Sequence, residues 1–257
     1  MDYNKKSYKL ILRSALDQGF GFIDFFNLNL DEHGKLIVLR HDIDFSLAMA
    51  LEMAVIDASC NIKSTFALQI SSPLYNPFTA FGIKTVNEIQ QLGHNIVLHY
   101  RASSAAAVGE IREDVNREMQ VMRAYFPYIQ PVFVWHNPPS SNLLSDIEVP
   151  GLVNAYSASY VRDMHYISDS VLRHSPEDFL SSLSKHNYLY LLLHPIIWMS
   201  EKSDMVSMIA SALKEVILES AKECILNPEW EKRFPYGIPE EILNKIEELL
   251  AGSKDIN

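Results

Sequence analysis

Residues 36–44 read LIVLRHDID. Leu36, Ile37, Val38 and Leu39 are branched aliphatics, which favour a pleated, buried strand. The run passes without a break into Arg40, His41, Asp42 and Asp44. Two carboxylates and an imidazole at the exit of a strand do nothing for a core. They are groups that a metal site or an acid–base pair uses. Alternation along a strand puts Asp42 and Asp44 on one face and His41 on the other.

Four later stretches repeat the pattern. IVLHY carries His99, VFVWH ends in His136, YISDS contains Asp169 and YLYLLLH ends in His194. Strands are expected over residues 64–70, 95–98, 131–135 and 188–193, and more weakly over 153–156 and 165–168. Apolar residues at spacings of three and four predict helices over residues 7–18, 46–58, 85–92, 108–126, 204–221 and 239–250, with Ser46 as a cap. SSPLYNPF, residues 71–78, holds two prolines and reads as a loop. Residues 20–26 are aromatic-rich and are expected to pack beneath the domain. Strand and helix alternate, which implies parallel strands joined by helical crossovers in one α/β domain spanning residues 1–257. In such folds the C-terminal strand ends carry the site. One sheet or barrel holding the five runs brings Asp42, Asp44, His99, His136, Asp169 and His194 to one rim.

Each of these residues has a plainer reading. A single histidine at a strand end is more often a core or loop residue, and several at equivalent ends are harder to dismiss. Asp42 and Asp44 compete with a role in capping the helix after Ser46, and Asp169 with turn capping. His94 precedes its strand, about 16 Å from His99 at ~3.3 Å per residue, so a structural role is expected. His33, His165, His174 and His186 read as surface or packing residues, and Trp135 and Trp198 as core.

The chain has 257 residues, 48% hydrophobic and 21% charged, an ordinary globular composition. Its net charge of −10 opposes nucleic acid and anionic membranes. The two cysteines, Cys60 and Cys224, have no metal-type spacing. There is no signal-peptide core and no apolar run long enough to span a membrane. A cytoplasmic protein is expected, with oligomeric state open. Asp and His without Cys suit a divalent ion such as zinc at a water-bearing site, the toolkit of an amide or ester hydrolase.

RHDID, LYNP, GHNIVLHY, HNPPS, YISDS and LLLHPIIW together resemble the motifs of the polysaccharide deacetylase family, the NodB-homology domain of carbohydrate esterase family 4. The pattern is similar to a divergent RHDxD subgroup linked to surface-polysaccharide biosynthesis, and it covers about residues 36–198. The resemblance implies a distorted (β/α) barrel of about seven parallel strands and a carbohydrate substrate. It implies Asp42 as general base, Asp44 and His99 as metal ligands and His194 as general acid, with Asp169 orienting Asp42 or His194. Two departures stand out: Ile43 separates two aspartates that the family places side by side, and Ser103 stands where it has a second ligand histidine. His136 is then expected to supply the missing ligand. The function expected is metal-dependent removal of an N-acetyl group from a sugar. The alternatives are a non-catalytic saccharide-binding relative and a hydrolase of a non-sugar C–N bond.

Overall fold

The computed structural model describes residues 1–26, 34–102, 108–136, 147–225 and 228–233, with 235, 239–242, 244–245 and 248 beyond them. Two compact units are present, Met1–Ile209 and Ala210–Asn257. The first holds every strand among the described residues.

Helix α1 (Lys5–Asp17) opens the chain, capped by the Asn4 side chain on the Ser7 N–H at 2.9 Å. A short strand β1 (Gly21–Ile23) and then β2 (Leu36–Ile43) follow. Next come α2 (Leu47–Ser59), β3 (Thr65–Leu68), α3 (Ala80–Gln91) and β4 (Asn95–Tyr100). The chain continues with α4 (Val108–Tyr125), β5 (Val132–Trp135), β6 (Val153–Asn154), α5 (Ala158–Val161) and β7 (His165–Ser168). Helix α6 (Pro176–Lys185), β8 (Tyr188–Leu193), α7 (Pro195–Met199), α8 (Met205–Ile225) and α9 (Pro228–Arg233) follow.

All strand pairs are parallel, in the order β6-β5-β4-β3-β2-β8-β7. The fold is thus the distorted α/β barrel expected, with seven strands on its path and β1 as an eighth. Strand β2 is central and buried at all of its positions, which is why it reads as a continuous apolar run rather than an alternating one. One edge of β2 pairs with β8 from Leu36 to His41. The other edge is shared, with β1 against Leu36–Val38 and β3 against Arg40–Ile43. The aromatic stretch after Phe20 therefore supplies a strand as well as packing, and Phe25 does enter the core.

The sheet curls. From β2 to β5 is three inter-strand spacings, roughly 14 Å in a flat sheet. Yet the His136 ring after β5 lies 3.1 Å from the Asp44 carboxylate after β2. Small residues, Val38, Ala67, Val97 and Val134, fill the concave side with Tyr160, Met164 and Tyr190. The outer helices start where the sequence supplies oxygen caps: Ser46 for α2, Thr79 for α3 and Ser175 for α6. Helix α3 begins earlier than its apolar spacing predicts because Gly82 lies against the Asn76–Pro77 backbone. A Cβ there would meet the Asn76 carbonyl oxygen at 2.6 Å. Helix α6 has a capping box, Ser175 with Asp178, and Pro176 in its first turn, signals the motif-led reading passes over. Of the helix expected over 239–250, residues 240–242, 244–245 and 248 are described and helical, whereas Ser103 and His33 lie outside the described residues.

Candidate active site

Period-two alternation sets the site. On β2 the side chains of Arg40 and Asp42 share the concave face and bond to each other, while His41 points outward. Continuing each strand by the same step puts Asp44, Gln69, His99, His136 and His194 at one rim, past Asp42, Ala67, Val97, Val134 and Leu192. His99 is still within β4, one residue from its end, rather than after it.

Three donor atoms converge there. Asp44 Oδ1 lies 3.1 Å from both His99 Nε2 and His136 Nδ1, and those nitrogens are 3.2 Å apart. This is the described group of Asp44, His99 and His136 that has metal-ligand spacing. Four-coordinate zinc with bonds of ~2.05 Å spaces its ligand atoms about 3.3 Å apart, so the triangle fits such an ion. Burial by itself would raise the Asp44 pKa. Hydrogen bonds from His136 and His99, with the charge of nearby imidazoles, hold it well below the usual carboxylate range. The capping role weighed for Asp44 falls to Ser46, whose Oγ accepts from the Met49 N–H at 3.2 Å.

Asp42 lies one step below the triangle, with Oδ2 3.7 Å from His99 Nε2. Arg40 grips it bidentately, Nε to Oδ1 at 2.8 Å and Nη2 to Oδ2 at 2.9 Å. The guanidinium has no exposed surface and also donates to the Tyr156 and Tyr190 hydroxyls. Arg40 stood in the opening motif without an assigned part. The signal that finds it is its position two residues before Asp42.

On the far side of Asp44 stands a dyad. His194 Nε2 is 3.6 Å from Asp44 Oδ2, and its Nδ1 is 2.5 Å from Asp169 Oδ1. Asp169 also accepts from the His194 backbone N–H at 2.9 Å and from Trp198 Nε1 at 2.7 Å. It makes no capping hydrogen bond to the turn that follows it. Of the two partners expected for Asp169, it is His194 that it bonds. Burial would lower the His194 pKa, but the Asp169 charge and hydrogen bond outweigh it, and the pKa is pushed up to about 9. Trp198 is core, as expected, and also a fastener of this dyad.

The other histidines separate cleanly. His94 accepts the Ser64 N–H at Nδ1 (3.2 Å), so its Nε2–H donates to the Ala54 carbonyl (2.9 Å), a structural role at the opposite strand end. His165 stacks on His186 at 3.8 Å, and His174 bonds the Ser168 carbonyl.

No family model and no curated protein matches the chain. Solved structures do. A peptidoglycan deacetylase of Bdellovibrio bacteriovorus is 16% identical at a TM-score of 0.46, over 77% of this chain and 55% of that one. A chitin deacetylase of the fungal pathogen Colletotrichum lindemuthianum is 14% identical at 0.46, over 72% and 84%. A CE4 family pseudoenzyme of Bacillus anthracis is 14% identical at 0.44, over 71% and 62%. This chain spans less than two thirds of the Bdellovibrio and Bacillus proteins. Among the described residues no helix is long and apolar enough to cross a membrane.

Proposed function

We propose that the protein is a metal-dependent hydrolase that removes the N-acetyl group from a sugar, with a surface-polysaccharide precursor as the substrate class its motifs point to. The observation that carries this reading is the placement of Asp44, His99 and His136 between a buried carboxylate, Asp42, and the His194 imidazole that Asp169 holds. An ion such as zinc held by the three would act as a Lewis acid on the acetamide carbonyl and acidify a water.

The chain's own groups supply the proton transfers. Asp42, fixed in rotamer by Arg40, takes a proton from the attacking water. His194, charged at neutral pH because of Asp169, gives its Nε2 proton to the leaving amine as the C–N bond breaks. Asp169 then steadies the neutral ring through Nδ1–H. An acid and a base with environments this different, either side of Asp44, divide the work of amide hydrolysis.

The test is metal analysis of purified protein together with acetate release from N-acetylated sugars. Wild type is expected to bind one divalent ion per chain, and Asp44→Ala and His99→Ala to lose both ion and activity. A protein that takes up no ion and shows no stabilisation by added metal sinks the proposal. A rival is a saccharide-binding relative without turnover, and the Arg40 grip favours it, since both Asp42 oxygens are already engaged by the guanidinium. Sugar binding that survives Asp42→Asn and His194→Gln, with no acetate released by wild type, would select it. Acetate released from non-sugar amides alone would move the substrate outside carbohydrates.

A further inference from the structure

Gln69 has no part in the chemistry so far, yet its amide borders the triangle at Asp44 and His136. In the sheet register Ile43 pairs with Leu68, and Leu68 pairs with Leu98. One step further, Gln69 lies between Asp44 on one neighbouring strand and His99 on the other. Its side chain shares the concave face with Ala67 and is buried, at 2% exposure. The amide Nε2 donates to Asp44 Oδ1 at 3.1 Å and lies 3.5 Å from His136 Nδ1. Its Oε1 is buried with no hydrogen-bond partner among the described residues. An unpaired buried amide oxygen is a standing cost that a methionine or leucine of similar size would remove. Keeping the amide makes physical sense if its N–H face is needed where Asp44 sits.

A second observation bears on the same residue. The loop SSPLYNPF is not absorbed by the proposed chemistry, but its Tyr75 reaches back to the rim. The Tyr75 hydroxyl accepts the Gln69 backbone N–H at 2.9 Å and donates to the Ile43 carbonyl at 2.7 Å. One hydroxyl thus ties the residue before Asp44 to Gln69, just where the β2–β3 ladder ends.

We propose that Gln69 is a positioning residue of this metal site: its amide orients the Asp44 carboxylate, and Tyr75 fixes Gln69 in turn. The inference rests on the metal-site reading above and adds to it the groups that aim one of its ligands. Carboxylate ligands are commonly held by such hydrogen bonds, and losing them weakens metal affinity by about 10–100-fold.

The experiment is calorimetric titration of metal-free protein with zinc, with cobalt(II) absorption spectra and apo-protein melting alongside. Gln69→Met should raise the zinc Kd by about 10–100-fold, with the cobalt spectrum keeping the wild-type band pattern because the ligands are unchanged. Tyr75→Phe should raise the Kd in the same direction by a smaller factor. A Gln69→Met Kd within about twofold of wild type overturns the inference and leaves the metal site standing. A cobalt spectrum showing a lost ligand in Gln69→Met also overturns it, since Gln69 would then be a ligand itself. If Gln69→Met melts out, Tyr75→Phe decides, and an unchanged Kd there counts against the proposal. Wild-type protein that binds neither ion overturns this inference and the proposed function together.

Discussion

Arg40 and Asp42 form an ion pair with side-chain exposures of 0% and 4%, so neither charge has water to fall back on. Removing one partner strands the other. Arg40→Met is expected to destabilise the fold by about 3–5 kcal/mol, read by urea denaturation. Arg40→Lys should recover only part, because an ammonium cannot hold both carboxylate oxygens in parallel. A loss under about 1 kcal/mol for Arg40→Met would mean that the pair is solvated in solution. At His194 the expectation concerns protons. Its pKa of about 9 stands above the ordinary 6.5 because of Asp169. Its contribution to stability is therefore complete below pH 6.5 and fades as pH rises through about 9. In metal-free Asp169→Asn, burial is opposed only by the charges of Asp44 and Asp42, and an NMR titration should place the His194 pKa below its wild-type value. Acetate release at pH 8 should fall by about 10²–10⁴-fold as the general acid is lost. A His194 titration unmoved by Asp169→Asn would remove Asp169 from the mechanism.

Strand β2 works on both faces, and its outward face meets a second buried polar cluster. His41 Nε2 bonds Asp57 Oδ2 at 2.8 Å. Asp57 also accepts from the Tyr8 hydroxyl and from Ser64 Oγ (2.6 Å), and Ser64 meets His94. One carboxylate thus links α1, α2, β2 and the start of β3. Burial lowers the His94 pKa below 6.5, and its Nδ1 must stay unprotonated to accept the Ser64 N–H. The unfolded chain takes up that proton first as pH falls. Stability should therefore hold above pH 6.5 and decline on acidification below it. His94→Gln should flatten that decline in denaturation midpoints taken between pH 8 and 5. An equally steep decline in the variant would shift the cause to other groups. The elements themselves were largely legible. The strand-end histidines and aspartates stood out because polar groups interrupt apolar runs. Helix α6 was missed because its short apolar pattern, Phe179 and Leu183, lay outside the motifs. Gln69 was missed because one amide after TFAL carries no chemical flag, although alternation from Ala67 already placed it on the site face.

At the scale of the whole molecule, what the sequence could not state was the closing of space: which strands neighbour which, and how far the sheet bends. Order alone leads from β2 to β3 to β4, but nothing in YLYLLL says that β8 pairs with β2. That pairing is what brings His194 to Asp44, and the curl is what brings His136 to the other side. The site thus spans three separated parts of the sheet, and ion binding should report on all of it. Zinc at 100 times its Kd is expected to stabilise the fold by about 2.7 kcal/mol, seen as a rise in melting temperature that vanishes in Asp44→Ala. No rise in wild type would contradict a native-state site. The β2–β8 ladder also has a consequence in time. The six register pairs from Leu36 to His41 cannot form until residues 188–193 have left the ribosome. At ~5–20 residues per second that interval is on the order of 10–30 s. Throughout it, the longest of the fully buried strands has one bare edge and an Arg40–Asp42 pair with no barrel around it. The protein is therefore expected to complete its folding late in synthesis. Pulse proteolysis of chains stalled before residue 188 should find β2 cleavable, and protection at that length would show that the strand is shielded by something other than β8.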